Sequence, residues 1–306
     1  MDNYSQKTLI AVCGPTAAGK TAIAIKLAQI FKTEIISADS RQFYKETTIG
    51  TAKPSADELN LIPHHFINSH SIEDKISVAD FEKAAIQKLE DLFRKHDVVL
   101  MVGGSGLFLQ AVYQGLDELP EVSVFEREKW NALYQEFGLN YLQEQLRVFD
   151  PEYYNQVDLQ NSQRIIRALE VSSSTGKPFS SFLTKNKKRR PFSIIKIGIN
   201  SERSILYNQI NLRVDEMVEK GLVKEALQLQ PYQHLNALNT VGYKELFEAF
   251  NQKTSVKEAI EKIKQNTRNF AKRQITWFKK DDEIVWFNAA DLNPILDYLS
   301  SNYHLL

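Results

Sequence analysis

Apolar positions fall along this chain in two patterns. Short unbroken runs, Leu9 to Cys13 and Val98 to Val102, read as strands buried on both faces. Glu34-Ile35-Ile36-Ser37-Ala38-Asp39 reads as a further short strand ending in polar residues. Between these runs the spacing turns helical, with Ile23, Leu27, Ile30 and Phe31 in Lys20–Phe31, and Phe81, Ala85, Leu89, Leu92 and Phe93 in Ala79–His96. Strands alternating with helices predict a parallel α/β sheet, and ligands of such sheets collect at the carboxyl ends of the strands. Three polar strand ends, Gly14 to Thr21, Asp39 to Gln42 and Gly103 to Gly106, are therefore expected to open into one crevice.

From Gly115 to Arg190 the strand-like runs vanish. Helices are predicted at Phe125–Phe137, Asn140–Phe149 and Ser162–Ser174, the last with Asn161 or Ser162 as N-cap, Gly176 past its end and Pro178 beyond. Residues 116–190 thus read as an all-helical insertion between two parts of an α/β core, 1–115 and 191–306. The insertion closes on the basic stretch Lys185 to Arg190, read as a flexible loop that either touches phosphates or stays solvated. Strand character returns at Ser193–Asn200. A helix capped by Ser201 and ended at Gly221 follows, then helices at Lys244–Phe250 and Ser255–Phe278, and a last strand at Glu283–Phe287.

Composition changes the picture little, and charge distribution changes it more. Hydrophobic residues at 43% and charged residues at 25% of 306 positions are ordinary for a globular chain. The net charge is zero, yet residues 161–306 hold 23 Lys and Arg against 15 Asp and Glu, so the second half is basic and suits a polyanionic partner. The single cysteine, Cys13, excludes an internal disulfide or a cysteine-based zinc site and reads as a small buried filler. No stretch approaches membrane-spanning length and residues 1–7 carry no apolar signal core, so a monomer in a reducing cytoplasm is the expectation.

Candidate chemistry starts at Gly14-Pro15-Thr16-Ala17-Ala18-Gly19-Lys20-Thr21, which matches GxxxxGK(S/T) between a strand and a helix. Its glycines let backbone N–H groups turn toward an anion. The helix N-terminus and Lys20 add positive charge, and the Thr21 hydroxyl can hold Mg²⁺. Alone, such a loop points to a nucleotide such as ATP. A hydrolase would then need an acid at the end of an apolar strand, and Val98–Val102 ends in glycines instead. The acid that does end a strand is Asp39, followed by Ser40, Arg41 and Gln42, a setting that suits a general base as well as a turn or cap residue.

The wider set of motifs is more specific. GPTAAGKT (14–21), ISADSRQFY (36–44), IGTAKP (49–54), PHHFI (63–67), VGGSGLF (102–108), QRIIRALEV (163–171), VGYKEL (241–246) and AKRQITWF (271–278) occur in this order. Together they resemble the tRNA dimethylallyltransferase family, also called tRNA isopentenyltransferases, over about residues 9–280. The resemblance implies a core like that of P-loop NTPases with an inserted helical domain. It also implies Mg²⁺-dependent transfer of a dimethylallyl group from dimethylallyl diphosphate to tRNA. The acceptor is the exocyclic amine of the adenosine 3′ of the anticodon, in tRNAs that read codons beginning with U, and diphosphate leaves. By resemblance Asp39 takes the amine proton, Thr21 serves Mg²⁺ and diphosphate, and Arg213 steadies the leaving group. Asp39 to Gln42 (Ser40, Arg41), Ser105, Arg127, Gln163, Arg164, Ile165, Ile166, Arg167, Asn239, Thr240, Val241, Gly242, Tyr243 and Lys244 line the anticodon stem-loop.

The residues add their own argument. Arg213 lies on the stripe Leu206, Ile210, Arg213, Met217, an apolar helix face on which a charge needs a partner, whether a ligand or a buried acid. Arg268, Lys272 and Arg273 add RNA-facing candidates from charge patterning, against a solvated helix face. His64 and His65 have no third ligand in view and read as structural. Phe108 stands where the family has tyrosine, and the absence of further cysteines suits a bacterial-type member. Other readings remain open on the residues alone: a prenyltransferase using free AMP or ADP, a P-loop nucleotide kinase, and an RNA-binding switch without chemistry.

Overall fold

In the computed structural model, which describes residues 7–184 and 187–305, the apolar runs form a sheet of six strands. These are β1 (Thr8–Cys13), β2 (Ile35–Ser37), β3 (His64–His65), β4 (Val98–Gly103), β5 (Ser193–Asn200) and β6 (Val285–Asn288). Every neighbouring pair is parallel, in the order β3-β2-β4-β1-β5-β6. β1 sits between β4 and β5, with Leu9 opposite both Val99 and Ile194. All six of its side chains are buried, as are those of β4, which is why both read as continuous apolar runs rather than alternating ones. Ile10 and Val12 face one core with Leu100 and Ile197, while Leu9 and Ala11 face the other with Val99 and Met101. Truncating such a residue, Leu100→Ala for example, costs about 2–5 kcal/mol.

The helices of this part of the chain are α1 (Lys20–Ile30), α2 (Ala56–Leu61), α3 (Val78–Phe93) and α4 (Gly106–Gln114) before the insertion. The chain divides into two compact units, one ending at Gln114 and resuming at Arg189, the other Gly115–Lys188. The second unit holds α5 (Val124–Phe149), α6 (Pro151–Tyr154) and α7 (Ser162–Thr175) around Trp130, Leu142, Leu146, Ile165, Ile166 and Leu169. Gly138, at φ 75° and ψ −174°, interrupts α5 and divides it into the two helices that the spacing predicts. Asn161 caps α7 by accepting the Arg164 N–H at 3.2 Å, and Gly176 ends it in the left-handed conformation. After the insertion come α8 (Arg203–Glu219), α9 (Leu222–Leu229), α10 (Tyr243–Phe250), α11 (Val256–Phe278) and α12 (Asn293–Tyr303).

Several expectations are corrected. β3, α2, α4, α9 and α12 carry no period long enough to announce them. Ser201 does not cap α8; Glu202 occupies the N-cap and makes no side-chain cap bond. Lys185 and Asn186 lie outside the described residues, but Arg190 is no loop tip. Its guanidinium donates to the Val112 and Ala111 carbonyls at 2.8 and 2.7 Å and pairs with Glu82 at 2.7 Å. Cys13 is buried as expected, and burial pushes its thiol up to about 12. Among the described residues no helix is long and apolar enough to cross a membrane.

Candidate active site

The phosphate loop connects β1 to α1. Gly14 adopts φ +137°, and a Cβ there would lie 2.2 Å from the Ile199 carbonyl oxygen of β5, so the turn out of the sheet requires glycine. Ala17 and Gly19 are also left-handed, at φ 62° and 83°. Lys20 opens α1 and folds back over the loop, donating to the Pro15 carbonyl at 2.6 Å. Asp39 lies two residues past β2, where Ala38 N–H still bonds the Val102 carbonyl of β4 at 2.7 Å. Its carboxylate Oδ1 accepts the Arg41 N–H at 3.0 Å. β4 ends on Gly103, with no acid at that strand end.

These ends converge as the sheet topology predicts. One cavity of about 650 Å³ is lined by Thr16, Lys20, Thr21, Asp39 to Gln42 and Gly103 to Phe108. α8 adds Ile210, Arg213 and Met217, and α11 adds Ile263, Phe270, Arg273, Gln274 and Trp277. The segment Asn239 to Gly242, with Lys244, completes the lining, joined by Gly50 to Ala52. Arg41 fixes that segment's approach, donating to the carbonyls of Asn236 at 2.9 Å, Ala237 at 3.1 Å and Asn239 at 3.4 Å.

The electrostatics are lopsided. Burial, and then the neighbouring Arg213 guanidinium, pull Lys20 down from 10.5 to about 8, with Asp39 acting in the opposite sense. Burial likewise lowers Arg213, against the pull of Asp39 and Glu216. Two desolvated cations thus share one nearby carboxylate, an arrangement that stabilises a polyanion. Thr21 and Asp39 are the hard oxygen donors beside them. Among the described residues no cluster of three His, Cys, Asp or Glu could hold a metal. A Mg²⁺ ion that takes the Thr21 hydroxyl, water and substrate phosphate oxygens fits that donor set, because Mg²⁺ is commonly held by few protein ligands plus phosphates.

Gln274 falls inside the motif AKRQITWF (271–278), but the sequence assigns it no site role. Only 7% exposed, it accepts the Thr16 N–H at 2.8 Å and donates to the Gly104 carbonyl at 2.9 Å, tying the phosphate loop to the end of β4. The signal was present as a polar side chain on the buried stripe Ala271, Gln274, Phe278 of α11.

Comparison with known proteins identifies the family. A family model described as IPP transferase matches residues 42–281. The chain belongs to the IPP transferase family. A tRNA dimethylallyltransferase of Christiangramia forsetii is 54% identical over 302 residues, covering 98% of this chain and 99% of that protein. One from Flavobacterium johnsoniae is 50% identical, with 97% and 98% covered. The crystal structure of a tRNA isopentenylpyrophosphate transferase from Bacillus halodurans superposes with a TM-score of 0.72 at 32% identity, covering 97% of this chain and 96% of that one. A eukaryotic dimethylallyltransferase acting on tRNA reaches a TM-score of 0.79 at 26% identity, with 97% and 77% covered.

Within this IPP transferase fold the expected residues separate into two groups. Lys20, Thr21, Asp39, Arg213, Ser105 and the 239–242 segment line the one cavity, where Ser105 Oγ accepts the Ser40 N–H at 3.2 Å. Arg127, Gln163, Arg164 and Arg167 belong to the helical unit, and three of them, Arg127, Gln163 and Arg167, are joined by hydrogen bonds around Glu170. There Arg127 and Arg167 both bond the Glu170 carboxylate, at 3.3 and 2.5 Å, and Arg127 reaches Gln163 at 3.5 Å. Ile165 and Ile166 are corrected. Both are fully buried in that unit's core, so their side chains are closed to RNA. Tyr243 is sealed too, its phenol donating to Glu225 at 2.6 Å. On α11, Lys264 is neutralised by Asp215 at 2.7 Å and Glu261 at 3.1 Å, and Arg268 bonds Asn211 at 2.6 Å. Lys272 is exposed, and Arg273 packs over the Phe270 ring beside the cavity. His65 bonds Glu34 at 2.7 Å and His64 the Ile62 carbonyl at 2.7 Å, both structural contacts at the sheet edge.

Proposed function

We propose that this protein transfers a dimethylallyl group from dimethylallyl diphosphate to the exocyclic amine of the adenosine 3′ of the anticodon in tRNA. One observation carries the reading: Lys20 and Arg213, both desolvated and mutually repelling, face Asp39 across a single cavity. The cations suit a diphosphate, and the carboxylate suits the nucleophile that displaces it.

In this reading the phosphate loop N–H groups and Lys20 bind the diphosphate end of the donor. The apolar wall of Ile210, Met217, Leu107 and Phe108 accepts its hydrocarbon. The adenosine leaves the base stack to enter the cavity past Ser40 to Gln42 and Asn239 to Gly242, since its amine is unreachable within a stacked loop. The amine nitrogen forms a bond to the first carbon of the allyl group while that carbon's bond to the diphosphate oxygen breaks. Asp39 accepts the proton lost by the nitrogen. Arg213 and Lys20 meet the charge that develops on the departing diphosphate, where preorganised donors lower the barrier. Thr21, together with the phosphate oxygens, would hold a Mg²⁺ ion, which would supply further neutralisation of the leaving group's charge. Arg127, Gln163, Arg164 and Arg167 contact the stem-loop backbone from the helical unit.

The test is incubation with labelled dimethylallyl diphosphate, Mg²⁺ and tRNA. Label on the tRNA adenine amine is expected. Label in free AMP or ADP would instead make the protein a nucleotide prenyltransferase, and label in neither would overturn the transfer reading.

A further inference from the structure

Two of the motifs, IGTAKP and VGYKEL, are only partly explained by their place on the cavity wall. They meet at Glu225 of α9, a residue that belongs to neither motif. Its carboxylate accepts three consecutive backbone N–H groups, Thr48 at 3.0 Å, Ile49 at 2.8 Å and Gly50 at 2.9 Å, and the Tyr243 phenol at 2.6 Å. Burial and the Glu225 carboxylate raise the Tyr243 pKa, so the phenol stays protonated and donates. Gly50 is required by this packing, because a Cβ there would lie 2.6 Å from the Tyr243 ring.

The loop so held does not end at Gly50. Two residues on, Ala52 is in the left-handed region at φ +46°, a conformation that a side-chain-bearing residue keeps only when its surroundings enforce it. Its carbonyl receives the Gln42 amide at 3.2 Å and the Arg213 guanidinium at 3.4 Å. Gln42 is fixed in turn by the Ser37 hydroxyl, which donates to its Oε1 at 3.1 Å. A chain of contacts therefore runs from Glu225 through the 48–52 backbone to the side chain assigned to the leaving group.

We infer that Glu225 is a positioning residue for this reaction, holding the strained 48–52 loop so that Ala52 aims the Arg213 guanidinium into the cavity. The inference rests on the transfer reading above. Glu225 touches neither substrate; a carboxylate suits the position because only an anion with two oxygens accepts three N–H groups and a phenol together. Glutamine keeps one acceptor oxygen and adds an N–H₂ that faces the same donors.

The test is a double-mutant cycle of Glu225→Ala and Arg213→Ala in the labelled transfer assay, with melting temperature and tRNA affinity measured for each variant. Glu225→Ala is expected to lower kcat by about ten- to a hundredfold, as misplacement of a transition-state group does, with tRNA affinity unchanged. Glu225→Gln should fall between it and wild type. The double variant should be no slower than Arg213→Ala alone, since the two residues act as one unit. Multiplicative losses, or wild-type kcat in a folded Glu225→Ala, would overturn the inference, as would a melted Glu225→Ala beside a fully active Glu225→Gln. Wild-type protein that labels no tRNA would overturn the transfer reading instead. The cycle is then read on affinity for inorganic diphosphate, where additive losses overturn the positioning role and non-additive ones sustain it.

Discussion

Two lysines in the sheet unit are taken out of water in opposite ways. Lys196, in the middle of β5 and 4% exposed, meets Asp281 at 2.6 Å and Glu283 at 2.8 Å and lies over the Tyr113 ring. Burial opposes its charge, but the two carboxylates outweigh burial and its pKa is raised. Lys20, at the start of α1, has the Pro15 carbonyl and a repelling Arg213, and its pKa falls to about 8. The first lysine is completed by its own chain. The second is a desolvated cation whose best partner is a polyanion, and that contrast separates a structural charge from a functional one. Arg127 and Arg167 stand between the two kinds, since the one buried Glu170 carboxylate they share answers only one of their two charges.

The sharpest way to break this contrast is at the unmatched cations. Arg213→Ala should slow transfer by about a hundredfold or more with the protein still folded, as loss of a preorganised donor to a leaving group does. A chief effect on melting temperature would make Arg213 a structural ion-pair residue instead. Lys20→Met and Lys196→Met should then move in opposite directions. A shift from 10.5 to about 8 corresponds to about 3 kcal/mol against the charged, folded form. Lys20→Met should thus cost most of the activity yet raise the unfolding free energy by about 1–3 kcal/mol. Lys196→Met should lower it by a similar amount, because it strands Asp281 beside buried apolar groups. Parallel stability changes in chemical denaturation would refute the comparison.

Acidity gives a subtler test. Between pH 8 and 10.5 the unfolded chain holds a Lys20 proton that the empty folded protein has released, so the lysine makes stability rise with pH there. Below that window its cost is fully present. Lys196, with its raised pKa, contributes stability that is fully present below the ordinary lysine value of 10.5 while its carboxylate partners are ionised, and is lost as pH climbs through its folded value. Donor KM should accordingly climb by about tenfold per unit once pH passes roughly 8, where Lys20 must be recharged to bind diphosphate. A flat donor KM in steady-state profiles up to that range would remove Lys20 from the grip. The smallest effect belongs to a matched surface cation. Lys264→Ala should change tRNA affinity by less than about 0.5 kcal/mol in filter binding, since Asp215 and Glu261 already answer its charge.

The contrast between the two lysines also marks where sequence reading succeeds. Strand, glycine loop and helix are local, so Gly14 to Thr21 was legible from spacing alone, and Asp39 followed from ending the next strand along the sequence. Arg213 was legible as a charge on an apolar stripe. What stayed hidden is non-local. Gln274 meets Thr16 across 258 positions, and Glu225 meets Thr48 across 177. β3 is two residues long and pairs only at an edge, too short for any period to register. Ile165 and Ile166 were drawn into the RNA surface by their place in a motif, although the phase of α7 turns them into the core between exposed Arg164 and half-buried Arg167. The helical split at Gly138 was visible because glycine breaks a pattern locally.

Lys20 and Arg213 acting as a diphosphate grip is the central claim, and calorimetry reads it directly. Inorganic diphosphate is titrated into the protein with Mg²⁺ at about pH 8.5, in two buffers of different ionisation enthalpy, so that the heat difference counts protons. A grip of this kind predicts tight binding with net proton uptake of up to about one proton, lost in Lys20→Met, because the incoming anion recharges Lys20. Binding with no proton uptake that Lys20→Met alters, or no binding at all, would contradict it.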